Sequence, residues 1–125
     1  MENYDSVNSI RNYSRYWKER VEKRKQNLEK RRKFLENLAN KCSILLKKRY
    51  KVKKVYLIGS IVRKYKIHET SDIDLVVVGL PDEDYFSALK ELYQLLPNGV
   101  DIDLITEETA SESMKIMIKK NGVLI

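Results

Sequence analysis

Between residues 11 and 49 the chain has neither glycine nor proline, and strong helix formers dominate. The spacing predicts one long helix, or two in succession. In its C-terminal half Phe34, Leu35, Leu38, Ala39, Cys42, Leu45 and Leu46 recur in steps of three and four. Those steps place them on one face, which a sheet is expected to cover. The stripe thins towards the N-terminus to Tyr13, Tyr16, Trp17, Val21 and Leu28, with Arg24 and Lys25 where apolar residues fall due. That half is expected to be exposed along much of its length or packed on another chain. Residues 1–10 read as polar and frayed.

After residue 52 the period changes. Residues 53–58 read as a short buried strand ending at Gly59, and residues 72–78 as a second strand ending near Gly79 and Pro81. Phe86, Leu89, Leu92, Tyr93 and Leu96 then return at helical spacing, with Asp82 or Asp84 as the expected cap. Pro97-Asn98-Gly99 is a turn, and residues 100–105 are a third strand. Thr106 is expected to cap a last helix running to Lys120, with Met114, Met117 and Ile118 inward. Asn121-Gly122 ends it, and residues 123–125 add a final strand. Helix, strand, short helix, strand, helix, strand, helix, strand is the order of an α/β layer fold.

Composition narrows the class. A chain of 125 residues fits one domain, and 42% hydrophobic residues exclude compositional disorder. The single cysteine, Cys42, rules out an internal disulfide and fits a reduced, cytoplasmic setting. It reads as a small apolar side chain on the helix face. No apolar run reaches the length of a bilayer span, and residues 1–10 lack the layout of a signal peptide, so no membrane partner is expected. The net charge of +7 is divided unevenly. Residues 1–54 carry 18 Lys/Arg against 6 Asp/Glu, whereas residues 55–125 carry 7 against 12. A basic half suits polyanions and an acidic half suits cations, although a solvated lysine-rich helix would read the same way.

The acidic half holds the candidate chemistry. Gly59-Ser60 follows a strand, and a glycine there lets backbone N–H groups approach a phosphate. Alone, such a pair is a common turn. Asp72 and Asp74 alternate at the head of an apolar strand, so their carboxylates share one face, where they repel and are costly to desolvate. A hard divalent cation, magnesium or manganese, would relieve both penalties. Asp101 and Asp103 repeat the pattern on another strand. A third carboxylate beside the first two would complete a two-ion site of the kind that serves in-line phosphoryl displacement.

Leu57-Ile58-Gly59-Ser60, then eleven residues, then Asp72-Ile73-Asp74-Leu75, resembles the DNA polymerase beta-type nucleotidyltransferase superfamily. Asp103-Leu104-Ile105-Thr106 and the ending Asn121-Gly122-Val123-Leu124-Ile125 resemble its minimal, antitoxin-type branch. The resemblance implies the nucleotidyltransferase fold, a small mixed sheet of about four strands flanked by helices, over residues 34–125. Residues 1–33 are left as a long basic helical extension outside the pattern. It also implies that Gly59 and Ser60 hold the triphosphate, with Arg63 contacting phosphate. Asp72 and Asp74 would bind two magnesium ions, and Asp103 would take one metal and serve or position the base. Asp101, one pleat away, is the alternative third acid. Lys64 stands where the family often has glycine. The implied reaction moves AMP from ATP to a hydroxyl, with a tyrosine of a HEPN-type toxin partner as the expected acceptor. Two other readings stay open: an inactive antitoxin that binds its partner stoichiometrically, and a nucleic-acid-binding protein acting through the basic helix. The exposed helix also leaves room for a homodimer. His68, in a polar loop, and the Tyr13/Tyr16/Trp17 group are read as surface and as a helix-packing anchor, respectively.

Overall fold

A computed structural model describes residues 2–63 and 67–125, with side chains from residue 9 onward. Lys64 lies outside the described residues. The gap-free helical sequence forms one unbroken helix, α1 (Glu2–Tyr50). At 1.5 Å per residue, its 49 residues span about 73 Å. Helix therefore also covers residues 2–10, which were expected to fray. α1 stops at Lys51, whose φ of 54° is left-handed, and Val52 N–H reaches back to Leu46 O at 3.4 Å. This six-residue return closes the helix in the manner usual for a glycine.

Four strands follow: β1 (Lys54–Ile58), β2 (Ile73–Val78), β3 (Ile102–Thr106) and β4 (Val123–Leu124). They lie in the order β3-β2-β1-β4, with β2 and β3 parallel and the other pairs antiparallel. The sheet is therefore mixed, as expected. α2 (Tyr85–Leu95) joins β2 to β3, and α3 (Glu112–Asn121) joins β3 to β4.

Alternation gives the sheet two unlike faces. On one, Val55, Leu57, Ile73, Leu75, Val77, Ile102 and Leu104 meet Leu35, Leu38, Ala39, Cys42 and Leu46 of α1 and Ala88 and Leu92 of α2. The other face is smaller: Ile58 and Val76 pack on Ile118 of α3, with Tyr56, Ile105, Met114 and Met117 around them. The apolar run Leu75-Val76-Val77 is buried on both sides, as a central strand requires.

Three sequence expectations shift by a notch. Phe34, Phe86 and Tyr93 are exposed, because the buried stripes turn on Leu35, Ala88 and Leu92. Asp84 precedes α2 without a side-chain capping bond. Ser111, not Thr106, caps α3 by accepting from Met114 N–H at 3.2 Å. Thr106 ends β3 instead and pairs its hydroxyl with Thr109 at 2.5 Å.

The direction of α1 positions everything else. Its C-terminus meets the sheet where Lys53 N–H bonds Val78 O, at the start of β1 and the end of β2. Running backwards it crosses to the opposite edge, where Arg31 Nη2 donates to Ser71 O at 3.1 Å. Arg24 bonds Glu69 there at 3.0 Å. The remaining N-terminal turns overhang that edge. Among the described residues no helix is long and apolar enough to cross a membrane.

Candidate active site

The edge under the overhang is where β1 ends and β2 begins. Ile58 gives way to Gly59, whose φ of +84° is available to glycine at little cost. Ile58 is in register with Asp74, so Gly59 stands over that carboxylate. A Cβ on Gly59 would collide with Asp74 Oδ2, so the missing side chain makes the room in which the acid sits. Gly59-Ser60-Ile61 forms a single 3-10 turn, closed by Arg63 N–H to Ser60 O at 3.2 Å. The expected helix start after Gly-Ser is thus a tight turn, with Ser60 half-buried and Arg63 exposed.

Asp74 is paired in register with Asp103 across the parallel β2/β3 ladder. Side chains in register on adjacent strands point the same way, so Asp74 and Asp103 stand together on the smaller-core side of the sheet. Asp72 lies one residue before β2, near enough for its charge to act on Asp74. Burial, then the charge and hydrogen-bonding proximity of Asp103, then the charge of Asp72, push the Asp74 carboxyl up to about 6. The cluster holds more negative charge than its solvation supports.

The acids are not equally placed. Asp74 and Asp72 are half-buried and Asp103 is exposed. Asp72 Oδ1 accepts a long 3.4 Å bond from Asp101 N–H. Asp101 lies just outside β3, with its carboxylate 3.5 Å from the Tyr93 hydroxyl and its carbonyl taking Ile73 N–H at 3.1 Å. Asp103 thus faces Asp74, and Asp101 faces α2. Among the described residues, no three His, Cys, Asp or Glu side chains converge as they stand closely enough to hold a metal ion. The chemistry of the donor set does fit one: carboxylate oxygens only, crowded near Asp74, with Asp72 tied down by nothing stronger than a long contact. His68 is exposed, its Nδ1 2.9 Å from Thr70 Oγ1, and its backbone is bonded to Ser71.

Arg31 has no counterpart in the sequence motifs, yet it fastens α1 to the residue before Asp72. The two partners are 40 residues apart in the chain, and no local pattern could have joined them.

Residues 40–125 match the family model described as polymerase beta, nucleotidyltransferase. Among solved structures, a toxin–antitoxin chain determined with AMP-PNP is 27% identical with a TM-score of 0.57; the match covers 69% of this chain and 70% of that one. A chain of the MntA–HepT toxin–antitoxin pair is 24% identical with a TM-score of 0.53, over 71% of this chain and 69% of that one. A chain from a tri-AMPylated Shewanella oneidensis HEPN toxin in complex with an MNT antitoxin is 23% identical with a TM-score of 0.53, over 72% and 70%. The last two likenesses are of fold. No curated protein matches the sequence.

Proposed function

The chain belongs to the polymerase beta nucleotidyltransferase family, and from that premise we propose that it transfers AMP from ATP to a hydroxyl of a partner protein. The observation that carries this reading is the in-register placement of Asp74 against Asp103 beneath Gly59. Asp72, Asp74 and Asp103 would hold two magnesium ions, or manganese. The bound ions would neutralise the triphosphate and align the attacking and leaving oxygens.

The chain's own groups do the rest. Gly59, lacking a Cβ, lets the 3-10 turn come close to the triphosphate, and the Ser60 hydroxyl can donate to the same oxygens. Arg63, exposed at the end of that turn, offers phosphate a cation. Asp103, the most accessible of the three acids, takes the proton of the acceptor hydroxyl. The acceptor oxygen bonds the α-phosphorus of ATP, the α–β bridging bond breaks, and pyrophosphate leaves.

The acceptor we propose is a tyrosine of a HEPN-type toxin, which would make this chain an antitoxin acting in the cytoplasm. The AMP-PNP complex among the similar structures, and the AMPylated toxin in another, support that choice. On this reading residues 34–125 are the catalytic domain and residues 1–33 an extension of it.

The test pairs the purified chain with the co-expressed product of a neighbouring gene and supplies ATP labelled at the α- or the γ-phosphorus. Label should pass from α- but not γ-labelled ATP, require magnesium, and vanish in Asp72→Asn/Asp74→Asn. Transfer that survives the double substitution refutes the assigned site. Full neutralisation of the partner without label transfer or metal-dependent ATP binding would favour a stoichiometric antitoxin.

A further inference from the structure

Past Arg31 the inner stripe of α1 leaves the sheet, and among the described residues Glu69 is the one outside α1 that lines it. Tyr16, Trp17, Arg20, Lys23, Arg24 and Arg31 line a groove that Glu69 borders on the other side. Tyr16 and Trp17 are 52% and 49% exposed. The Arg20 guanidinium lies 5.5 Å from the Tyr16 ring centre and 5.8 Å from that of Trp17, and Tyr13 meets Trp17 edge-on at 6.0 Å. Residues 9–33 carry 11 Lys/Arg against 3 Asp/Glu.

We propose that this groove binds a single-stranded nucleic acid. The charge selects the class of ligand. A stretch this basic repels a second copy of itself and attracts a polyanion. Along one helix face Arg20 and Arg24 recur about 6 Å apart and Arg31 about 10 Å further on, so a strand laid in the groove meets cations repeatedly, displacing Glu69 from Arg24 to reach the second of them. The aromatics select the form. Exposed rings stack on base faces, which a single strand offers and a duplex hides. Arg20, already held over two rings, can extend such a stack while its edge donates to phosphate. The groove ends where Arg31 meets Ser71, one residue before Asp72, so a bound strand would run up to the carboxylate cluster without sharing its ligands. The proposal does not depend on the transferase reading.

Trp17 is the sole tryptophan of the chain, so its fluorescence reports this groove and nothing else. Titrating the full chain with a twelve-residue oligouridylate at low salt should quench it. Three or four phosphate contacts give a log–log salt slope of about −2 to −3. Arg20→Glu/Lys23→Glu should weaken binding at least tenfold. Trp17→Ala, followed by anisotropy of a labelled oligonucleotide, should weaken it about tenfold. Lys41→Glu, on an exposed turn of α1 away from the groove, should leave it unchanged. The proposal is overturned by absence of quenching, by an equal loss in Lys41→Glu, or by equal binding of a charge-matched duplex, of polyglutamate or of phosphatidylserine vesicles. The polyglutamate result would mark the groove as a dock for an acidic protein, and the vesicle result as a membrane-surface helix.

Discussion

Replacing Asp74 with asparagine should make the metal-free protein more stable. Burial and the neighbouring Asp103 and Asp72 raise this carboxyl from its usual 3.8 to about 6. The folded state then binds the proton more tightly than the unfolded chain, so wild-type stability falls as pH rises from 4 to 6, and the loss is complete above that. A rise of this size corresponds to about 3 kcal/mol. Asp74 is only half-buried and solvent screens part of the repulsion, so about 1.5 kcal/mol is the realistic figure. Asparagine keeps the shape and can donate to Asp103 without a charge. For a chain of this length the gain amounts to a Tm increase of about 5 °C at pH 7.5. The assay is thermal unfolding with EDTA, for both proteins, at pH 7.5 and pH 4. At pH 4 wild-type Asp74 is already protonated and the difference should nearly vanish. Adding magnesium at pH 7.5 should raise the wild-type Tm and leave Asp74→Asn almost unmoved, reversing or closing the gap. A variant no more stable than wild type in EDTA, or one whose advantage persists undiminished at pH 4, would refute the reasoning.

Gly59→Ala should destabilise by about 1–3 kcal/mol and abolish magnesium-dependent ATP binding, because it meets both the left-handed φ and the Asp74 carboxylate; chemical denaturation and calorimetry read the two effects. Leu46→Ala, fully buried between α1 and the sheet, should cost about 2–5 kcal/mol in urea unfolding and leave the groove fluorescence of Trp17 unchanged. Ser111→Ala should cost about 1 kcal/mol through the lost α3 cap, whereas Thr106→Ser should leave that cap intact; equilibrium unfolding of each separates the two. Burial pushes the Cys42 thiol up to about 11, so a thiol reagent at pH 8 should label it only as fast as the protein unfolds, and labelling that is complete within the dead time of mixing would contradict its burial.

Some of the site was legible in sequence because its parts are local. The alternation of Asp72-Ile73-Asp74 and of Asp101-Ile102-Asp103 marks acids at the heads of two strands, but Asp72 and Asp101 lie one residue outside β2 and β3, and Asp101 turns to Tyr93 of α2 instead. The glycine after β1 was legible for the same kind of reason. The resemblance favoured Asp103 over Asp101 as third acid, but the register that sets Asp103 opposite Asp74 is made by the β2/β3 ladder and could not be read from either segment alone. The helix stripes were read within one notch. Phe34, Phe86 and Tyr93 missed because a hydrophobic residue at the margin of a stripe is buried or not according to what lies opposite, and opposite them lies solvent.

By itself the sequence determined the long helix, the four strands and the two later helices in their order, the two pairs of alternating acids and the surplus of positive charge on α1, because each follows from spacing, propensity or count within one segment; it overstated the helix after Gly59-Ser60, which is a single 3-10 turn. Tertiary structure alone decided that Asp74 lies beneath Gly59 and faces Asp103, that Arg31 holds the head of β2, and that the uncovered half of α1 projects from the edge where the acids stand. Those relations join residues many turns apart in the chain. They are set by which face of each element is buried and by the direction in which a 49-residue helix crosses a sheet too short to cover it.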